Sequence, residues 1–426
     1  MYFKESRKSE VISGKNILKT IYEYIKPQTL EEMKEYIKCI TNNIPITKEH
    51  IRATSDYLIF DSYFECANLQ KVYALSYLEY DLYVNSDIEG SNYSQWFYFS
   101  VTNAKSNSCV KFNVMNIRKH LQFIKDGMKP LVYSKIEAAW NNRTENIQLT
   151  KCSDNTECYT LSFTYTFLHD NDEIYFALWK PYSYSKLKAF IQDTEDALLQ
   201  ESKVKSLKNE EMCEIRTADV NYRRTQLCIS LGGLPIDLLT ITANTTEKQN
   251  KTYIIITARA HASETAGSYK AEGIVKFLTS KATIATLLRQ KHIFLIIPTL
   301  NPDGTVLGHN RCDINGADLN RCWDNPKEDL HPAIFNLKGI MKELINKGRE
   351  ISLYCDLHGH SQTLNSFIFA CHVILNKKPT LWTRVKVFTR IFADKCSIVK
   401  YSQCQYNVKA SKVFVELMYR YIQEEL

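Results

Sequence analysis

The 426-residue sequence contains 13 cysteines but no Cys-x-x-Cys pair. An odd number of cysteines without regular spacing predicts neither a disulfide framework nor a cysteine zinc site, and free thiols in a reducing compartment fit it best. The polar N-terminus, which begins Met1-Tyr2-Phe3-Lys4, lacks the apolar core of a signal peptide. No apolar stretch approaches the roughly 18 residues of a membrane-spanning helix. These absences predict a cytoplasmic protein with no membrane partner.

A strong excess of charge of either sign is also missing. The 54 lysines and arginines against 47 acidic residues leave a net charge of +7. This balance does not indicate a nucleic-acid partner, and it suits an acidic partner, although mildly basic surfaces are common. The composition is that of a globular protein, and the length is sufficient for two domains with separate cores.

Short apolar runs predict buried strands that end close to residues able to bind a metal ion. The runs cover residues 253–257, 293–297 and 351–355. His261 and Glu264 follow the first run, and His358 follows the third. Ligands bind outside the carboxyl ends of strands in open α/β sheets, and two histidines with one carboxylate form a catalytic zinc pattern. We therefore expect one zinc ion per chain, held by these three residues, with His360 as a neighbouring structural group.

The first half of the chain has a different character. Residues 1–54 are polar and lysine-rich, and an amphipathic stretch at 17–25 predicts a helical leader. Residues 55–185 contain several strand-like runs separated by polar turns, which favours a β-sandwich whose aromatic residues form the core. The runs are 81–84, 95–101, 111–114, 159–165 and 174–178. His169 with Asp170 and Asp172 is interpreted as a structural loop.

The remaining segment, 186–426, is predicted to be the second domain. Helical spacing over 184–206 indicates a helix that links the two domains. Two strand-like runs, 227–233 and 236–242, then predict a hairpin that opens the second domain.

Four motifs in order carry a resemblance to a known family. They are His261-x-x-Glu264, Asn301-Pro302-Asp303-Gly304, Asp318-Leu319-Asn320-Arg321 and Asp356-Leu357-His358-Gly359-His360. Together they resemble the zinc carboxypeptidases and, more narrowly, the cytosolic carboxypeptidases. The resemblance covers about residues 55–410. It implies an α/β fold, in which an N-terminal antiparallel β-sandwich precedes an α/β/α domain with a mixed, mostly parallel sheet.

The resemblance also implies roles for residues near the metal. Asn320 and Arg321 match the pair that grips the terminal carboxylate of the substrate, Arg311 matches the arginine that stabilises the oxyanion, and Asp318 matches the carboxylate behind the first histidine. Guanidinium groups suit these tasks because they bind carboxylates through two parallel hydrogen bonds. The implied activity is removal of C-terminal glutamates from acidic protein tails such as those of tubulin, which suggests a cytoplasmic enzyme associated with the cytoskeleton.

The general base is the part of the family pattern that the sequence does not supply clearly. Members of the family carry a glutamate on a late strand after a Ser-Lys segment, and Ser411-Lys412 resembles that segment. Glu416 follows too early to match well, and the interpretation favoured here is a chain truncated at its C-terminus. Such a chain is expected to bind zinc and substrate with little or no turnover. The alternatives are a silent relative that binds acidic tails and an amidohydrolase of N-acyl amino acids.

Overall fold

A computed structural model describes residues 19–24, 27, 29–42, 57–118, 121–152, 157–201, 205–209, 212–244, 251–360, 365–369 and 379–406. Helices and strands are numbered in chain order. The elements of the first half are β1 (Lys19–Glu23), α1 (Leu30–Thr41), β2 (Ile59–Asp61), β3 (Leu69–Ser76), β4 (Glu79–Val84), β5 (Tyr98–Thr102), β6 (Cys109–Ile117), α2 (Gln122–Lys125), β7 (Leu131–Ser134), β8 (Ala139–Asn141), β9 (Glu145–Lys151), β10 (Tyr159–Thr166) and β11 (Ile174–Ala177).

These strands form two sheets that enclose one aromatic core. The sheets have the orders β1-β3-β4-β6-β10-β9 and β2-β5-β11-β7-β8. Side chains from both sheets, such as Phe99, Phe112 and Phe176, are fully buried and lie in one hydrophobic cluster. The predicted β-sandwich is therefore confirmed, and its pairings are antiparallel except for the parallel pair β4–β6.

The helical prediction for the stretch 17–25 is wrong where the structure describes it. Lys19–Glu23 is a strand that pairs antiparallel with β3. Pairing with an exposed sheet edge satisfies the backbone of this segment and outweighs its weak helical periodicity.

The helix of this region lies further along the chain, in α1. Thr29 and Glu32 form a reciprocal capping box at its start. Its buried side chains, Met33 and Ile37 among them, pack against Val306 and Leu307 of the second half.

The second half consists of helices and the strands of one sheet. Its elements are α3 (Tyr184–Leu199), β12 (Lys205–Lys208), β13 (Met212–Arg216), β14 (Asn221–Ile229), β15 (Pro235–Thr242), β16 (Thr252–Ala258), α4 (Thr265–Thr279), α5 (Thr283–Lys291), β17 (His292–Ile297), α6 (Pro302–Val306), α7 (Pro332–Asn346), β18 (Ile351–Leu357) and α8 (Pro379–Lys395), with short 3₁₀ turns at Leu319–Arg321 and Tyr401–Gln403. Among the described helices, none has both the length and the apolar composition needed to cross a bilayer.

The seven-stranded sheet has the order β12-β13-β14-β15-β17-β16-β18. Its mixed character is confirmed, but the expectation that most pairings are parallel is wrong for the described strands. Only β17–β16 and β16–β18 are parallel, and the other four neighbours pair antiparallel. For the three pairs between β12 and β15 the physical reason is their short connections, because tight turns join antiparallel strands whereas parallel strands need a long crossover.

Helices cover both faces of this sheet. Along β17, Phe294 and Ile296 pack in a cluster with α3 and α4, whereas Leu295 and Ile297 pack on the other side with α7. This alternation follows from the opposite orientation of successive side chains in a strand. It produces the three-layer α/β/α arrangement and leaves the ends of β16 and β18 at one edge of the layers.

The two halves approach each other closely at Gly308. This residue has a φ of +65°, and a Cβ added to it would lie 2.3 Å from the carbonyl oxygen of Ala67 in the β-sandwich. Nearby, the N–H of Cys66 donates to the carbonyl oxygen of Val306 at 3.1 Å. Glycine at 308 therefore permits both the left-handed backbone and the contact between the halves.

We expect Gly308→Ala to destabilise the fold more than Gly348→Ala does. Gly348 has a nearly identical φ of +64° but no atom within 4 Å of an added Cβ. Alanine at 348 should cost about 1–2 kcal/mol for the left-handed backbone alone. Alanine at 308 should cost roughly 1–3 kcal/mol more, because the methyl group overpacks the interface. Urea unfolding of both variants measures the difference, and equal losses would contradict the proposed close approach.

Candidate metal centre

The parallel pair β16–β18 brings the predicted metal ligands to one edge of the sheet. Ala258, the last residue of β16, pairs with Leu357, the last residue of β18. His261 lies in the connection that follows β16, and His358 follows β18 directly. Glu264 immediately precedes α4 in the same connection as His261. The carboxyl ends of two neighbouring parallel strands therefore place all three side chains together.

The two histidines face the same carboxylate. Nδ1 of His261 lies 2.9 Å from Oε1 of Glu264, and Nδ1 of His358 lies 2.8 Å from Oε2. The N–H of Gly359 also donates to Oε2 at 2.8 Å. His261, Glu264 and His358 form a triad whose donor atoms all lie within 4.8 Å of one another. Among the described residues it is the one group of three or more potential metal ligands at this spacing.

Each histidine is held from behind by a second carboxylate. Nε2 of His261 lies 3.1 Å from Oδ1 of Asp318, and Nε2 of His358 lies 2.6 Å from Oδ2 of Asp356. Asp356 in turn accepts a hydrogen bond from the hydroxyl of Thr257 at 2.7 Å. These contacts fix both imidazole rings with Nδ1 towards Glu264, which is the orientation that metal-binding histidines obtain from carboxylate partners.

Sequence analysis did not assign a role to Asp356. The signal was present, because Asp356 and His358 are two residues apart at a strand end and side chains at this spacing lie on the same face. The predicted role of Asp318 behind the first histidine has a geometric counterpart in its contact with His261.

The electrostatics of the triad follow from this carboxylate shell. Burial favours the neutral form of His358, but Asp356 and Glu264 more than offset it and raise its pKa well above the usual value. Burial likewise opposes the charged form of His261, and Glu264 and Asp318 raise its pKa. Burial would raise the pKa of Glu264, yet the two histidines lower it well below the usual value. The triad is therefore a mutually stabilised set of opposite charges.

Asp318 also connects the triad to Arg311. Its second oxygen, Oδ2, accepts a hydrogen bond from Nε of Arg311 at 2.6 Å. Burial raises the pKa of a carboxyl group, but the contacts with His261 and Arg311 outweigh burial and hold the pKa of Asp318 well below its usual range. One ionised carboxylate thus positions both a candidate metal ligand and a candidate oxyanion-binding cation.

The two residues expected to bind the substrate carboxylate occupy the adjacent 3₁₀ turn. Nδ2 of Asn320 lies 3.3 Å from Nε2 of His358, and Oδ1 of Asn320 has no hydrogen-bond partner among the described residues. Arg321 is exposed and donates to the carbonyl oxygen of Asn320 at 3.0 Å. His360 is outside the triad and contacts Phe367. Glu416 and the Ser411-Lys412 segment lie outside the described residues.

The donor set fits a zinc ion. Atoms that bind one zinc at about 2.0–2.2 Å lie roughly 3–4 Å from one another, and the measured separations within the triad bracket this range. Two imidazole nitrogens and one carboxylate oxygen are ligands that zinc accepts, and each imidazole has the outer partner that such ligands need.

Known proteins share the sequence patterns and the fold of this chain. The sequence pattern described as "Zinc carboxypeptidase" matches residues 217–422, and that described as "Cytosolic carboxypeptidase N-terminal domain" matches residues 60–179. Cytosolic carboxypeptidase 1 of Xenopus laevis is 36% identical over 371 residues, which are 82% of this chain and 28% of that protein. Cytosolic carboxypeptidase 2 of Xenopus tropicalis is 37% identical over 326 residues, which are 74% of this chain and 32% of that protein.

Solved structures support the same fold. A metallo-carboxypeptidase from Burkholderia cenocepacia superposes with a TM-score of 0.66 at 21% identity, covering 84% of this chain and 86% of that one. A metallo-carboxypeptidase from Pseudomonas aeruginosa gives a TM-score of 0.62 at 19% identity, covering 83% and 84%. The chain belongs to the zinc carboxypeptidase family, among the cytosolic carboxypeptidases. It spans about a third or less of the length of the curated relatives described above.

We expect Asp356→Asn to weaken zinc binding by about 10-fold to 100-fold at neutral pH, because His358 loses the carboxylate that orients it. His261→Ala, which removes a proposed ligand, should lower zinc binding further. Asp170→Asn is the matched control, because Asp170 accepts a backbone hydrogen bond from Ser106 in the β-sandwich, away from the triad. Competition with a fluorescent zinc chelator measures the affinities. An affinity for Asp356→Asn equal to that of the control would contradict the orienting role.

Proposed function

We propose that this chain is a zinc metallocarboxypeptidase that removes C-terminal acidic residues, glutamates above all, from protein tails. One zinc ion per chain is held by His261, Glu264 and His358. The single observation that carries the proposal is the triad together with Arg311, which Asp318 ties to the first histidine. A metal site that activates water, with a fixed cation beside it to stabilise the oxyanion, is one arrangement that hydrolyses peptide bonds.

The chain's own residues divide the work as follows. A zinc ion held by His261, Glu264 and His358 would supply a water of lowered pKa and would polarise the scissile carbonyl. Arg311 stabilises the negative charge that develops on the carbonyl oxygen, because its guanidinium is fixed through Nε and its terminal N–H groups make no hydrogen bond with the described residues. Asn320 and Arg321 bind the terminal carboxylate of the substrate. Asp318 and Asp356 keep the histidines oriented.

The substrate class rests on charge as well as on the family. The exposed guanidinium of Arg321 suits a free carboxylate, and the chain carries a net charge of +7, which favours an acidic tail. Relatives with the name cytosolic carboxypeptidase support a cytoplasmic site of action. Glutamylated tails of tubulin are the partner that we propose, with cytoskeletal association as a consequence.

Two other functions make different demands on the same site. A relative that only binds acidic tails needs Arg321 but no proton shuttle. An amidohydrolase of N-acyl amino acids needs the metal triad but does not hydrolyse a polyglutamate peptide. The aromatic β-sandwich in front of the second half supports the carboxypeptidase reading, because the matching N-terminal pattern carries the name of that family.

The proposed activity predicts that the purified chain with zinc releases glutamate from a peptide that ends in several glutamates and does not hydrolyse N-acetylglutamate, whereas a chain without a general base should bind the peptide with little or no release. Mass spectrometry of the peptide measures the release. If release occurs, Glu416 is the candidate general base, and Glu416→Gln should then lower the rate by about 10²–10⁴-fold. Zinc-dependent peptide binding without release would favour the binding protein instead, and hydrolysis of only the acetylated amino acid would favour the amidohydrolase.

We expect Arg321→Ala to remove the preference for a free C-terminal carboxylate. Wild-type protein should bind the polyglutamate peptide more tightly than the same peptide with a C-terminal amide, because only the acid forms the bidentate contact. Arg321→Lys keeps the charge but loses this geometry, so it should retain part of the preference. Calorimetric titration gives, for each variant, the ratio of the affinities for the acid and the amide peptide. A ratio unchanged in Arg321→Ala would contradict the carboxylate-binding role.

A further inference from the structure

A loop of the β-sandwich binds the segment that carries Arg311. Asp87, in the connection between β4 and β5, is almost fully buried at 1% exposure. Its carboxylate accepts hydrogen bonds from three consecutive backbone N–H groups, those of Asn310, Arg311 and Cys312, the last two at 2.7 Å. A carboxylate in such a concave array of amides is held by several charge-assisted hydrogen bonds at once.

The same loop contacts the side chain of Arg311 and the far end of its segment. The N–H of Asp87 donates to the carbonyl oxygen of Tyr93 at 3.1 Å, which closes the loop on itself. The guanidinium carbon of Arg311 lies 5.9 Å from the centre of the Tyr93 ring. Ile88 packs so closely on Gly316 that a Cβ there would lie 2.6 Å from its Cδ1. The loop therefore covers the segment between residues 310 and 316.

Arg311 is thus fixed from two independent directions. Asp318, in the second half, holds Nε of its guanidinium, while Asp87, in the β-sandwich, holds its backbone. Oxyanion stabilisation depends on donors that are already in place when charge develops, and a displacement of about 1 Å can cost 10²-fold in rate. The hydrogen bonds that Asp87 accepts from the backbone at Arg311 should therefore affect stabilisation of the charge that develops on the carbonyl oxygen. They should have much less effect on the initial binding of the substrate carboxylate at Asn320 and Arg321.

We infer that Asp87, assisted by Tyr93, is a positioning residue for Arg311, so that the β-sandwich completes the oxyanion site of the second half. The inference rests on the proposed function, since it assigns Arg311 to the oxyanion. Under this inference, residues of the β-sandwich contribute to the site in the second half.

The test compares two ligands that differ only at the oxyanion position. One is a phosphinic pseudopeptide that ends in glutamate, whose tetrahedral oxygens stand in for the oxyanion. The other replaces the phosphinic group by methylene groups and keeps the terminal glutamate. We expect Asp87→Asn to weaken the phosphinic ligand by about 10-fold to 100-fold and to leave the methylene ligand within about twofold. Zinc content of each variant is measured alongside, because the phosphinic group also needs the metal.

Two further variants make the result specific. Glu65→Gln is the matched control, because Glu65 is another sandwich carboxylate that bonds the second half, at the N–H and hydroxyl of Ser185, away from residues 310–312. It should change neither affinity. Tyr93→Leu removes the ring over Arg311 and leaves the Asp87 carboxylate in place, so it should weaken the phosphinic ligand by roughly 2–5-fold. This variant decides the question if Asp87→Asn does not fold.

The outcomes separate the inference from the proposed function. Equal weakening of both ligands by Asp87→Asn, or an unchanged preference in either loop variant, would overturn the positioning role. In an Arg311→Ala background, Asp87→Asn should not change the preference for the phosphinic ligand any further. A further loss of this preference in the double variant would also contradict the positioning role. If wild-type protein shows no preference for the phosphinic ligand, the oxyanion role of Arg311 fails first and the inference fails with it.

Discussion

The parallel pairing of β16 with β18 is the constraint on which the candidate site depends. Its register sets Ala258 beside Leu357, and the two histidines follow these residues from neighbouring strands. Gly267 allows the first turn of α4 to approach this edge, since a Cβ there would lie 2.5 Å from the carbonyl oxygen of Leu357. The backbone thus determines the distance between the ligands, and the carboxylates behind the histidines determine only how the rings are turned.

The strands that build this edge were predictable because their residues are locally distinctive. Apolar, β-branched runs at 253–257, 293–297 and 351–355 lie within β16, β17 and β18. The helical prediction around Lys19–Glu23 failed because that segment gains its structure from pairing with β3, which the segment itself does not encode. The prediction that most strand pairs of the second sheet are parallel failed for a similar reason, because connection lengths and packing across the whole sheet decide which strands are neighbours.

The candidate site likewise contains residues that local sequence motifs predict and one that they do not. The motif spacing was enough to select His261, Glu264 and His358, because each motif follows a strand whose end the sheet brings to one edge. Asp87 could not be found in this way. Its partners at residues 310–312 lie more than two hundred residues away in sequence. A buried carboxylate that binds backbone N–H groups also places no demand on the side chains of its partners, so no sequence pattern marks the contact.

The charge balance of the triad follows from the carboxylates that surround its two histidines. The raised pKa values of both histidines favour a proton on each, and the carboxylates of Glu264, Asp318 and Asp356 lie beside that charge. Zinc binds the neutral imidazoles and so displaces these protons. When one dication replaces a proton on each histidine, the net charge inside the carboxylate shell does not change. The surrounding carboxylates therefore face the same total charge with or without the ion, although both imidazoles would have to move away from their 2.8–2.9 Å contacts with Glu264 to admit it.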